Sequence, residues 1–129
     1  MPPEEFVSSI YKKVVTDGIV HYDEILSRGT NSIDPKRIRN WDWHYILKAY
    51  ETMNDGQRAA LKLMARQATV DTISYILGII DGPVILPKFR EDFVLTYGDP
   101  PVQLNGDLQD IFLALEEEEA AKKAPGIDS

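Results

Sequence analysis

NDGQRAALKLMARQATVDTISYILGIIDG, residues 54–82, is the stretch that decides the fold. It reads as one long helix with both ends marked. Asn54 is a good N-cap, and Gln57 stands three residues on, the spacing of a capping box. At the far end comes Asp81-Gly82-Pro83. Gly82 can take the left-handed conformation that closes a helix, and Pro83 cannot extend one. At ~1.5 Å per residue the helix would span roughly 38 Å. Two apolar stripes follow i, i+3, i+4, i+7 spacing. One is Leu61, Met64, Ala65, Ala68, Tyr75, Ile76 and Ile79; the other is Leu63, Val70, Ile73, Leu77 and Ile80. The second half is apolar almost all round, so Ile73, Ile76, Leu77 and Ile80 are expected in the core. Residues 69–72, where β-branched side chains surround Asp71, are where this helix would break in two.

Toward the N-terminus, Pro2 and Pro3 followed by Glu4 and Glu5 start a helix whose apolar face is Phe6, Val7, Ile10, Tyr11, Val14 and Val15. Gly18 is read as its end. Ile19–Ser27 is a second short helix, with a brief strand at residues 19–22 as the other reading. Asp34-Pro35 is an N-cap followed by Pro at the first helical position. The helix it opens runs to Met53, with Ile38, Trp41, Tyr45, Ile46 and Ala49 on its core face. The short link to the central helix makes the two antiparallel neighbours.

Beyond Gly82 the texture changes. Residues 83–87 are an extended connector bracketed by prolines. Residues 92–97 alternate, GDPP turns, and VQL returns, a small β-hairpin at about 92–104. Asp107 then caps a last helix with Leu108, Ile111, Phe112 and Leu115 on one face. Glu118 and Glu119 precede Lys122 and Lys123 by four residues, and residues 124–129 are read as a frayed tail. The expectation is a mostly α fold: a four- to five-helix bundle around residues 55–81, with a hairpin before the last helix and one domain over residues 1–123.

The chain of 129 residues has 43% hydrophobic residues, two Trp and no Cys, which fits one domain without disulfides or thiolate metal sites. No apolar run reaches membrane-spanning length, and MPPEEF lacks the pattern of a signal peptide, so a cytoplasmic protein is expected. Net charge is −7 and uneven. Residues 1–90 carry 12 Lys+Arg against 11 Asp+Glu, whereas residues 91–129 carry 2 against 10. An acidic third of this kind disfavours nucleic acid; it reads first as a solubilising tail and, more sharply, as a surface for a basic protein partner.

Nucleotide-binding, zincin, hydrolase-elbow and EF-hand motifs are absent. The leading reading is a binding protein acting through a surface. A concrete version is an inhibitor or immunity-type protein that masks a basic partner with Glu91, Asp92, Asp99, Asp107 and Asp110. Trp43 and Tyr50, on a second stripe of the third helix with Leu47, read first as core packing and otherwise as candidate contact residues for a partner. A homo-oligomer is among the assemblies the sequence allows. The alternative is a small metal-dependent hydrolase using His21, Glu24, Asp42 and His44, should the second and third helices converge. No cofactor is expected on the leading reading. Lys36, Arg37 and Arg39 crowd a helix start, where cations do not help the dipole. They read as a solvated face or a partner for the acidic third.

Overall fold

The structure is a computed structural model; it describes residues 2–30 and 38–123, excluding the side chains of residues 38–41 and 123. It is mostly helical, with a two-stranded antiparallel hairpin before the last helix. The order is α1 (Pro3–Ile10), a π-helical turn (Tyr11–Thr16), α2 (Asp17–Arg28), α3 (Ile38–Glu51), α4 (Asp55–Asp81), β1 (Thr96–Tyr97), β2 (Val102–Gln103) and α5 (Leu108–Lys123). The Asp34-Pro35 helix start, Lys36, Arg37 and residues 124–129 lie outside the described residues, as do the side chains of Arg39 and Trp41.

The central helix forms as its ends dictate. Asn54 Oδ1 accepts the Gln57 N–H at 2.8 Å, and Gln57 Oε1 accepts the Asn54 N–H at 3.0 Å. Gly82 closes it with φ 113°, its N–H donating to Gly78 O. Residues 69–72 do not break it. The Thr69 and Thr72 hydroxyls donate to the carbonyls four residues back, Ala65 and Ala68, so the β-branched pair is absorbed without leaving the helix. Gly18 does not end the first helix either, because the backbone runs helically from Pro3 to Arg28. The π-helical turn resets the register. Val7, Tyr11 and Val15 all reach the core, an i, i+4, i+8 run that a pure α-helix would rotate by ~80°. The strand reading of residues 19–22 is thereby replaced by helix.

Two apolar clusters hold the molecule. The larger joins Val7, Tyr11 and Val15 to Val70 and Leu77 of α4 and to Leu108 and Phe112 of α5. The smaller joins Leu26 to Leu47 and Tyr50 of α3, with Leu61 packed against it. The C-terminal part of α4 therefore serves one cluster and its N-terminal part the other. Ile73 and Ile80 are partly buried against the larger cluster, but Ile76 is 51% exposed, and Met64 and Tyr75 of its stripe are exposed too, although Leu61 of that stripe packs on the smaller cluster. On α3 the second stripe packs inward and Ile46 packs beside it, so among the described side chains of the expected core face Tyr45 is the one that departs. Tyr45 is exposed, while Leu47 and Tyr50 are buried.

The hairpin is shorter than its alternation suggests, with Thr96 opposite Gln103 and Tyr97 opposite Val102. Only the residues just outside the strands reach inward: Leu104 is buried, and Leu95 packs half-buried on the larger cluster. Leu108 and Phe112 are fully buried, with Ile111 and Leu115 beside them, as the spacing predicts.

Candidate functional site

One end of the molecule is built by a polar clasp. Asp81, in the last turn of α4, accepts the Gly106 N–H on Oδ1 at 2.7 Å and the Gln109 N–H on Oδ2 at 2.8 Å. The Gln109 N–H is a first-turn donor of α5 and Gly106 lies just before the helix, so Asp81 caps α5 from another segment, in place of the expected Asp107 side chain. Asn105 works beside it. Its Oδ1 accepts the Leu95 N–H, and its Nδ2 donates to Ile80 O and Phe93 O. Gln109 Nε2 donates to Ser74 O at 3.0 Å, where Gly78 leaves room for its side chain. The end of α4, the strand-leading segment, the hairpin and the start of α5 are thus tied together.

The five carboxylates singled out in the sequence lie on these tied segments. Glu91 and Asp92 precede β1, Asp99 sits in the hairpin turn, and Asp107 and Asp110 flank the start of α5. All five are exposed, and among the described residues none forms an ion pair. Large exposed apolar side chains occur along the same stretch of chain. Ile85, Phe89, Phe93, Val94, Tyr97 and Val102 are all at least 40% exposed, and the Phe89 and Phe93 rings pair at 5.6 Å. Such a mixture of exposed aromatics and unpaired charge is what a protein-docking surface needs.

A second polar feature lies inside. Arg66 of α4 meets Glu116 of α5 with both terminal nitrogens: Nη1 to Oε1 at 2.6 Å and Nη2 to Oε2 at 2.9 Å. The Tyr11 hydroxyl donates to Glu116 Oε2 at 2.9 Å and accepts from Arg66 Nη2 at 3.1 Å. Both charged side chains are only about one-sixth exposed, so water screens them little. Burial, then the Glu116 bond and charge, push the Tyr11 phenol up to about 12. The bond to Glu116 raises Arg66 further, so the guanidinium stays charged.

At the seam between the two clusters lies a cavity of about 130 Å³. Its walls come from α2, α3 and α4, including Ile19, Tyr22, Leu26, Trp43, Ile46 and Leu61. The Tyr22 and Trp43 rings stand 5.7 Å apart, inclined by 33°. Lys62 and Asp23, paired at 3.3 Å, belong to the lining, as does Arg66.

The remaining expected site residues do other things. Trp43 is a half-buried cavity wall. Tyr50 is core, with the Arg58 guanidinium 4.6 Å over its ring and Arg58 Nε donating to its carbonyl. It offers no contact surface. His21 is exposed beside Tyr22, Glu24 pairs with Arg28 at 3.8 Å, Asp42 is exposed, and His44 is half-buried. Among the described residues no three His, Asp or Glu side chains are arranged to hold a metal ion, so these four do not make the ligand set that the hydrolase reading requires. Nor does any described helix have the length and apolarity to cross a membrane.

Sequence reasoning missed the clasp and the buried ion pair. The pair had a signal. Arg66 falls in register with Val70 and Leu77, and Glu116 in register with Leu108 and Phe112. Two opposite charges, each in the core register of its own helix, call for one another. Comparison with protein-family models, curated proteins and solved structures gave no match.

Proposed function

We propose that this chain is a protein-binding module that docks a basic partner on the end formed by residues 85–110. The observation that carries the reading is the set of five exposed carboxylates, unpaired among the described residues, in the same stretch of chain as exposed Phe89, Phe93 and Tyr97. Aromatic side chains supply the area that becomes desolvated on contact. The carboxylates steer approach and reject acidic competitors. The polar clasp holds this surface in one shape, which limits the entropy lost on binding. Masking a basic partner, as an inhibitor or immunity-type protein does, is the concrete form of this activity. The cytoplasm is the setting proposed for this activity.

The test is photo-crosslinking in the producing cell, with the crosslinker at Val94 or Tyr97 and a control at Asp55. The expected adduct is a basic protein, captured from the two docking positions only. Changing Asp99, Asp107 and Asp110 to Lys together should weaken its capture, chiefly through the association rate. High salt should do the same, since the screening length falls from ~10 Å at 0.1 M to ~3 Å at 1 M. Because Asp81 provides the α5 cap, Asp107→Lys should cost only its unfavourable charge at the helix start, about 1 kcal/mol. An acidic adduct, adducts only with a second copy, or capture indifferent to charge reversal would refute the proposal.

A further inference from the structure

We infer that the cavity between α2, α3 and α4 is a binding site for an uncharged, single-ring aromatic molecule. The site is separate from the docking end and does not depend on it. Its volume of about 130 Å³ sets the size of the guest. An apolar protein cavity of ~150 Å³ takes up benzene, so a single ring fits here. The walls set the chemistry. Leu26, Ile46 and Leu61 supply aliphatic contact, and the inclined Tyr22 and Trp43 rings offer faces and edges to an aromatic guest.

The charges in the lining already have ion-pair partners, and the one buried donor left open among them is Arg66 Nε–H, which has no acceptor. Lys62 holds Asp23 at 3.3 Å, and Arg66 holds Glu116 through both terminal nitrogens. The Thr69 hydroxyl donates to Ala65 O. An anionic or cationic guest would have to break one of these pairs or enter uncompensated, and an uncharged one need not. A way in exists. A shallower apolar hollow lined by Val14, Ala68, Thr72 and Ile73 shares Tyr22, Ala65 and Thr69 with the cavity and lies open to the surface.

The experiment uses the full chain and toluene as probe, with benzoate as its charged counterpart. Trp43 fluorescence in a Trp41→Phe background and methyl NMR report occupancy. The expected result is saturable toluene binding, with shifts concentrated at Leu26, Ile46, Leu61 and Ala65. Benzoate should bind about tenfold more weakly or worse, and so should toluene to Ala65→Leu, whose added methyl groups occupy the space. Toluene-to-methyl nuclear Overhauser contacts at Ile46 and Leu61, taken on the unaltered sequence, decide the matter even if Ala65→Leu does not fold. Non-saturating shifts spread over exposed Tyr45, Met64 and Phe89 would overturn the inference. So would contacts absent at Ile46 and Leu61, toluene binding unchanged by Ala65→Leu, or benzoate binding equal to that of toluene.

Discussion

Breaking the Arg66–Glu116 pair from one side should cost far more than removing it whole. In Glu116→Leu the guanidinium keeps only the Tyr11 hydroxyl, in a site where its own side chain is 17% exposed. Exposed ion pairs are worth about 0–1 kcal/mol, and breaking fully buried ones costs about 3–5 kcal/mol. The geometry lies close to the buried limit: two short contacts in parallel, a third bond from Tyr11, and little screening. A loss of about 2–4 kcal/mol is therefore expected for Glu116→Leu, and somewhat less for Arg66→Met, because a carboxyl can take up a proton and a guanidinium cannot shed one. The double variant removes both charges and fills the space with apolar atoms. It should return to within about 1 kcal/mol of the parent, since buried pairs are often replaceable by hydrophobes of similar size. Urea unfolding followed by circular dichroism measures all four corners of the cycle, provided the slope with denaturant is unchanged. Additive losses in the double variant, or single losses under about 0.5 kcal/mol, would refute the idea that the two charges act as a unit.

The Tyr11 phenol, pushed up to about 12 when folded, binds its proton more tightly in the native chain than in the unfolded one. Its stabilisation is present below the ordinary tyrosine value near 10 and is lost as pH rises through about 12, an effect of up to about 2.7 kcal/mol for two pH units. Unfolding free energies from pH 9 to 12 should therefore fall more steeply for the parent than for Tyr11→Phe, and parallel curves would refute the assignment. Gly78→Ala should destabilise by about 1–3 kcal/mol, with Gln109→Ala restoring part of it. An added Cβ would stand 2.6 Å from Gln109 Nε2 and 2.7 Å from Val84 Cγ2, and thermal melts of the two single variants and the double would show whether Gln109 is the obstacle. Leu77→Ala should cost about 2–5 kcal/mol and Ile76→Ala under about 1 kcal/mol, so equal shifts in melting temperature would contradict their burial.

Much of this could be read in the sequence because it is local. The ends of α4 depend on Asn54, Gln57 and Gly82 alone, and the buried face of α5 follows from the spacing of Leu108 and Phe112. Orientation was harder wherever a helix carries two apolar stripes. Nothing in the spacing of Ile76 and Leu77, or of Tyr45 and Leu47, says which stripe the neighbouring helices will cover, because that depends on where distant segments return. The clasp was invisible for the same reason. Asp107 precedes α5 and has the chemistry of a cap, yet Asp81, remote in sequence, reaches the free N–H groups. The acidic end was visible as charge, but its exposed aromatics emerged only when the hairpin proved too short to bury them.

The packing of α1 and the π-helical turn against α5 has a kinetic consequence. Tyr11 and Glu116 stand 105 positions apart, whereas Leu47, Tyr50 and Leu61 of the smaller cluster are near neighbours along the chain. Closing a loop of about a hundred residues costs on the order of 4 kcal/mol of chain entropy before any contact repays it. The smaller cluster, with Arg58 folded back onto Tyr50, should thus form early, and docking of α5 should be the last step. Substitutions at Leu47 would then slow refolding, while substitutions at Phe112 would chiefly speed unfolding. Stopped-flow chevrons of Leu47→Ala and Phe112→Leu would separate the two, and a refolding rate lowered as much by Phe112→Leu as by Leu47→Ala would place α5 in the folding nucleus instead.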